Sequence, residues 1–317
     1  MSKHIAFVTD PLEQINPQTD TTFTLMKAAQ DRGYKIFWME ASDLHIKNNI
    51  PVGYMASIKL HDEPNEPFSL GESFLAPLEQ LALIWWRKSP PYSLDLLFAL
   101  DALQMLPSKT LVLNDPRTLR QMNEHLFSLQ FPNCVPPSLV TKNPNAIRGF
   151  ISEIKGKTVV RRLDSPSHHS SFVLRMGDPN LKMLTQVLTE DGTQYVAAQQ
   201  MVTESGLDGD KRIFMINGEF LGIALQIPAM GDMRGSFERG AEVAATELSD
   251  KDHKLISTIG PTLRKNGIFF ATMDVANGLI FNFNFSSPGG LSQLASVSDL
   301  DPIETLFTAL ELKLSQL

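Results

Sequence analysis

One cysteine, Cys134, stands among 317 residues, so no disulfide can form within the chain, and a zinc site built on several thiolates is excluded. Charge is sparse at 20% and tilts negative: 28 Lys plus Arg against 35 Asp plus Glu leave a formal net charge of −7. That balance argues against a protein whose affinity comes from neutralising nucleic-acid phosphates, so no nucleic-acid partner is expected. Long apolar runs are missing too. Leu81 to Trp86 is among the longest, far below the roughly 18 residues that suggest a membrane span, and no membrane partner is expected. The first residues, Met1 to Asp10, read as a buried strand and lack the apolar core, roughly 7–15 residues long, of a secretory signal. With so little cysteine, a reducing, cytoplasmic location is the expectation. There is no internal repeat and no low-complexity tract. What is present is 43% hydrophobic residues, ample for a packed core, over a length that fits two or three subdomains.

Strand-like and helix-like stretches alternate along the first third. Ile5–Thr9 reads as a strand, Phe23–Arg32 as a helix stopped by Gly33, and Tyr34–Met39 and Leu81–Trp86 as strands. Tyr92–Leu106 is expected as a helix before a strand at Thr110–Leu113. This order implies a parallel α/β layer, with the polar stretch from Pro51 to Ser73 as strand or loop excursions from it. After Asn114-Asp115-Pro116 the texture changes: Arg117–Phe131 is amphipathic, and a small α+β unit follows with helices at Ala146–Ile154 and Leu181–Leu188. From Lys211 onward strands predominate, paired through Asn217-Gly218 and Asn277-Gly278, each a strong hairpin signal between apolar runs. The expected organisation is an α/β chain of three units, 1–122, 123–201 and 202–317.

The second hairpin carries the first candidate chemistry. Asp274 lies on one strand, and Asn282 and Asn284, two apart on the next, face the same way. Three oxygen-bearing side chains converging across a tight turn suit a hard cation such as Mg2+. A polar, solvent-facing strand side accounts for the same spacing.

A series of ordered motifs then sets the family. They run from Thr9-Asp10-Pro11 and Asp20-Thr21-Thr22-Phe23 through Arg87-Lys88-Ser89-Pro90-Pro91 and Leu113-Asn114-Asp115-Pro116 to Asn123-Glu124-His125-Leu126-Phe127. Gly177-Asp178-Pro179-Asn180-Leu181, Gly209-Asp210-Lys211-Arg212, Ile259-Gly260-Pro261-Thr262-Leu263 and Ser287-Pro288 continue the series. In these the chain resembles the bacterial glutathione synthetases, ATP-grasp ligases, over nearly its whole length. The resemblance implies an ATP-grasp fold with an N-terminal parallel α/β domain, a central α+β lid and a C-terminal antiparallel-sheet domain. It implies ATP and Mg2+ as cofactors, a small-molecule ligand (γ-glutamylcysteine or a glutathione-like peptide), and a homo-oligomer, dimer or tetramer. Such enzymes phosphorylate the dipeptide carboxylate with ATP and let the glycine amine attack the acyl phosphate, chemistry that rests on positioning and charge neutralisation.

Carried over residue by residue, the resemblance places Arg161, His125, Gln199 and Asp210 on the nucleotide side and Asp274, Asn282 and Asn284 at the metal. It places Arg212 and Arg234 in the catalytic region, and Arg87, Arg239, Ser286 and Ser287 beside the peptide. Several of these positions depart from the family pattern. The family run Ile-Leu-Lys-Pro-Leu-Asp-Gly-Met-Gly-Gly is here Val159-Val160-Arg161-Arg162-Leu163-Asp164-Ser165-Pro166-Ser167-His168, followed by His169. Its three glycines, which let backbone N–H groups approach phosphate oxygens, are gone, and proline supplies no N–H. Arg161 and His125 stand for lysines, and Asn282 for a glutamate. The expectation is an ATP-grasp protein similar to glutathione synthetase whose ligase activity is impaired or lost. An active glutathione synthetase and a regulatory or scaffold partner of an active paralogue are the alternatives.

Overall fold

The computed structural model describes residues 3–63, 65–89, 93–164, 171–203, 209–228 and 241–317. The N-terminal sheet contains β1 (His4–Thr9), β2 (Lys35–Glu40), β3 (Leu44–Lys47), β4 (Ile50–Leu60), β5 (Phe68–Pro77), β6 (Leu83–Arg87) and β7 (Leu111–Leu113). Its order is β3-β4-β2-β1-β6-β7, with β5 on the free side of β4. The β2-β1-β6-β7 core is parallel, and β1 is buried from Ile5 to Thr9, as a strand covered on both faces must be. Helices α1 (Thr21–Asp31), α2 (Leu94–Gln104) and α3 (Pro116–Gln121) accompany it. Asp20 caps α1 by accepting the Thr22 N–H at 2.6 Å, and Asp115 caps α3 with Pro116 in the first turn.

The middle sheet, order β10-β9-β11-β8, is built from β8 (Ser138–Thr141), β9 (Thr158–Arg162), β10 (Ser171–Leu174) and β11 (Val196–Gln200). One face packs on α5 (Pro144–Ile154) and α6 (Leu181–Leu188) through Ile147, Ile151, Val160, Leu181 and Leu188. A short helix, α4 (Glu124–Phe127), leads into this unit. The third sheet is antiparallel, order β14-β13-β12-β15-β16: β12 (Asp210–Ile216), β13 (Glu219–Ile227), β14 (Glu242–Ala244), β15 (Phe270–Ala276) and β16 (Leu279–Asn284). Helices α7 (Asp250–Lys265), α8 (Leu291–Val297) and α9 (Pro302–Ser315) complete the chain. Among the described residues no helix is long and apolar enough to cross a membrane.

The stretch from Pro51 to Ser73 is a strand excursion from the layer, as expected: it lies in the β4–β5 hairpin, whose β5 is exposed along most of its length. One sequence expectation needs revising. Arg117–Phe131 is not one amphipathic helix. It breaks at Met122 and Asn123, and Asn123 starts α4 by accepting the His125 N–H at 3.0 Å.

The first hairpin turn is pressed against α7. A Cβ on Gly260 would lie 2.1 Å from the Gly218 carbonyl oxygen, and backbone cannot give way as a side-chain tip can. Gly260→Ala is therefore expected to lose about 1–3 kcal/mol in urea unfolding, as overpacked sites do, while Ser257→Ala on the exposed face of the same helix stays within about 0.5. Equal midpoints for the two variants would contradict the contact.

Candidate functional site

Strand alternation turns one face of the middle sheet toward a cleft. Val160 faces the α5–α6 core, so its neighbour Arg161 points the other way. In register with it, β11 and β8 present Ala197, Gln199, Ser138 and Val140 to the same cleft. Phe281, Asn282 and Phe283 of β16 face them, with His125, Ser128 and Leu129 at one end. The space between them is about 340 Å³ with open solvent included.

Arg161 is 6% exposed and makes one long hydrogen bond, Nη2 to Gln199 Oε1 at 3.5 Å. Gln199 in turn donates to Ser138 Oγ at 3.1 Å. Burial pushes the Arg161 guanidinium down to about 10, against the opposing pull of the Asp274 charge, so it stays cationic at neutral pH. Among the described residues no carboxylate forms an ion pair with it.

Asp274 is the centre of the second cluster. Arg212 lies directly across from it in the β12–β15 ladder and grips it with both arms of its fork: Nε to Oδ1 at 2.7 Å and Nη2 to Oδ2 at 3.0 Å. Gln226 Nε2 adds 2.9 Å to Oδ1, and Asn282 Nδ2 adds 2.9 Å to Oδ2. The reverse orientation of the Asn282 amide would set oxygen against oxygen, so the carboxylate itself fixes which end it sees. Asn284, at the end of β16, is engaged elsewhere: it donates to the Ser287 carbonyl at 3.2 Å and accepts the Ser287 N–H at 3.1 Å.

This donor set does not fit the Mg2+ that the hairpin spacing suggested. Four N–H donors saturate the two oxygens of the one carboxylate, and Asn282 turns its nitrogen toward them. Gln226 Oε1 is buried without a hydrogen-bond partner, but a single neutral oxygen is a weak complement for a cation that favours anionic ligands. A cation at Asp274 would also sit beside the Arg212 guanidinium, at about 4 kcal/mol per unit-charge pair at 4 Å in an effective dielectric near 20. Among the described residues no group of three His, Cys, Asp or Glu side chains could hold a metal ion.

A third group lies at the seam between the N-terminal and third sheets. Arg87, buried at the end of β6, donates from Nε to Thr22 Oγ1 at 3.2 Å, and Ser287 Oγ donates to the Arg87 carbonyl at 3.2 Å. Ser286 faces Glu124 instead. Glu124 Oε1 accepts the Phe285 N–H at 2.6 Å, the Ser286 N–H at 2.7 Å and the Ser286 hydroxyl at 2.8 Å. Phe127, one turn on, packs on Phe283 and Phe285 with ring centroids 5.1 and 5.4 Å away. The Asn123–Phe127 motif thus ties the middle sheet to β16, with Asn123 Nδ2 donating to the Leu163 carbonyl at 3.0 Å.

Burial raises the Glu124 carboxyl, only partly offset by the Ser286 and Phe285 donors. An acid raised on folding makes the protein less stable as pH climbs from its unfolded value, near 4.3, through the folded one. Glu124→Gln keeps an acceptor oxygen and removes the charge, so its unfolding midpoint should lack that slope. Glu124→Ala strips the acceptor from three donors and should cost at least about 1–3 kcal/mol. A Gln variant as unstable as the Ala variant would contradict this assignment.

The structure therefore brings Asp274, Asn282 and Arg212 together, sets Arg161, Gln199 and His125 around the facing cleft, and places Arg87 with Ser287. Ser286 serves the clasp and Asn284 its own turn. Asp210 opens β12 opposite Gln226. Arg234, Arg239 and residues 165–170, with His168 and His169, lie outside the described residues. Sequence reading passed over Gln226, which has no motif of its own. Glu124 was visible only as part of its motif.

The model for the prokaryotic glutathione synthetase N-terminal domain matches residues 4–120, and the model for the ATP-grasp domain of the same family matches residues 124–299. The glutathione synthetase of Shewanella oneidensis is 36% identical over 314 residues, covering 98% of this chain and 99% of that protein. That of Coxiella burnetii is 34% identical over 315 residues, covering 99% and 98%. Among solved structures, the D-cycloserine synthetase DcsG shares the fold with a TM-score of 0.68 at 13% identity, covering 98% of this chain and 99% of its own. The ATP-grasp ligase PsnB complexed with minimal precursor, Mg and ADP gives 0.58 at 15%, covering 98% of each.

Proposed function

Since the chain belongs to the prokaryotic glutathione synthetase family, we propose that it keeps that fold while its ligase activity is strongly impaired or lost. The observation that carries this reading is the saturated carboxylate. Asp274 is held by Arg212, Gln226 and Asn282, and the position where the family carries a second acid is an amide. Removing one preorganised electrostatic partner commonly slows turnover about 10²–10³-fold, and here a metal-side acid, two lysines and three loop glycines differ together. On this reading the units 1–122, 123–201 and 202–317 remain as the peptide-side, lid and nucleotide-side parts. Arg87 and Ser287 at the seam, with Arg234 and Arg239, would face a small anionic peptide such as γ-glutamylcysteine, in the cytoplasm.

The test is glycine-dependent ADP release from ATP and γ-glutamylcysteine, with the Shewanella oneidensis relative assayed alongside. Turnover at least about 100-fold slower than the relative is expected. Comparable rates would favour the second reading, an active glutathione synthetase. Similarity to curated synthetases along the whole chain speaks for that reading.

A further inference from the structure

We propose that the free edge of the N-terminal sheet seats a second copy of this chain. β5 of one protomer pairs antiparallel with β5 of the other about a two-fold axis, with Leu70 opposite the partner's Leu75. This goes beyond the loss-of-ligase reading and does not depend on it.

Among the described residues β4 is the only strand beside β5, so the other edge of β5 presents unpaired backbone donors and acceptors. Sheets usually blunt such an edge with lysine, with proline inside the strand, or by keeping the strand short. β5 does none of these. It runs for ten residues, its one charge is Glu72, and its one proline is the last residue, Pro77. Its apolar side chains are also unusually open: Leu70 is 45% exposed, Phe74 43% and Leu75 37%, with Tyr54 of β4 at 46%.

The strand is complementary to itself because of one irregularity. Tyr54, Ala56, Ile58 and Leu60 alternate regularly along β4 and pair with Leu75, Ser73, Leu70 and Phe68. β5 therefore carries one extra residue between Leu70 and Ser73, and Leu70 and Leu75, five apart, face the same side. In a regular strand they would face opposite sides. Two copies set antiparallel with Leu70 against the partner's Leu75 then match face for face along the whole strand. Phe68 meets the partner's Pro77, and Ser69 the partner's Ala76. On the other face Phe74, whose ring lies 5.7 Å from Phe37, meets the partner's Gly71, which has no side chain to collide with it. Glu72 meets the partner's Ser73, so the two carboxylates are not set directly opposite each other. A shift by one residue in either direction would set Leu70 against Phe74 or Ala76, which face the other side. The two apolar pairs, each flanked by Tyr54, cover the exposed side chains that a lone protomer leaves in water, and the two seven-stranded sheets become one.

Sedimentation equilibrium of the full chain should show a dimer, or a multiple of one, at about 10 µM. Leu70→Lys/Leu75→Lys sets lysine against lysine in both pairs and should raise the dissociation constant at least about tenfold. Leu70→Lys/Leu75→Glu sets lysine against glutamate at the same positions and should associate at least about tenfold more tightly than the double-lysine variant. Register is read by cross-linking in a Cys134→Ser background. A mixture of Leu70→Cys and Leu75→Cys chains should form a disulfide-linked dimer, and neither chain should do so alone, since like positions lie about 16 Å apart in this pairing. A parent that stays monomeric at about 100 µM would overturn the proposal and leave the edge to a strand of some other protein. Equal association of the two charge variants, cross-linking of either cysteine chain by itself, or none in the mixture would overturn it as well.

Discussion

Replacing Lys211 by methionine is expected to cost about 3–5 kcal/mol, the usual penalty for orphaning one member of a buried ion pair. Lys211 Nζ lies 2.8 Å from Asp252 Oδ2, with the two side chains 6% and 1% exposed. The same oxygen accepts the Ser249 N–H at 2.9 Å and the Ser249 hydroxyl at 2.8 Å, closing the capping box of α7, while Oδ1 has no partner. Burial pushes the Asp252 carboxyl up, but Lys211 and Ser249 together outweigh it and hold the group below the ordinary range. A depressed carboxyl stabilises the fold above its unfolded value, near 3.9, and that contribution is lost as pH falls through the folded value. Without Lys211, burial dominates and the sign reverses: the Lys211→Met variant should gain stability as pH drops from 7 toward 5, while the parent's Asp252 contributes no such slope. Lys211→Met/Asp252→Leu removes both charges and should recover all but the cap, worth about 1 kcal/mol. Urea midpoints at the two pH values decide it. A single variant with the parent's midpoint would show that the pair is not what fixes α7 to β12.

The architecture was legible where one physical requirement governed a whole segment. β1 is buried along nearly all its length, so its apolar run is unambiguous, and Asn217-Gly218 and Asn277-Gly278 both adopt the positive φ angles that tight hairpins need. The β4–β5 hairpin was obscured because β5 is exposed along most of its length, with strand pairing and a few ring contacts such as Phe23–Phe68 and Phe37–Phe74 holding it in place. At the site, the reading that Asn282 and Asn284 share a strand face follows from a period of two, yet the strand ends at Asn284 and its amide turns into the Ser287 loop. The Arg212–Asp274 pair was out of reach for a different reason. Sixty-two residues separate its members, and only the β12–β15 register sets them opposite each other. Sequence spacing could therefore name the acid but not reveal that its lone pairs were already taken.

That difference between owning an acid and having it available leads to the largest effect expected on activity. Arg161→Lys, His125→Lys and Asn282→Glu, combined with Ser165→Gly, Ser167→Gly and His168→Gly, restore the family's residue types at six positions. The combined variant should raise glycine-dependent ADP release at least about 10³-fold over the parent, since two or more preorganised partners, each worth about 10²–10³, return together. The order of the effects follows from the geometry. Asn282→Glu alone sets two carboxylates in contact and draws Asp274 out of its amide partnership, so it should act through Mg2+ and be silent in EDTA. Arg161→Lys alone leaves Asp274 saturated by Arg212, Gln226 and Asn282, so it should change turnover little. The glycines alone meet the same obstacle. Rates of the single, partial and complete variants, measured with and without Mg2+, should therefore be far from additive, with the gain conditional on position 282. A combined variant as slow as the parent, though folded and able to bind ADP, would mean that Arg212 does not release Asp274 even to a competing cation. The loss would then reside in that clasp and not in the six substitutions.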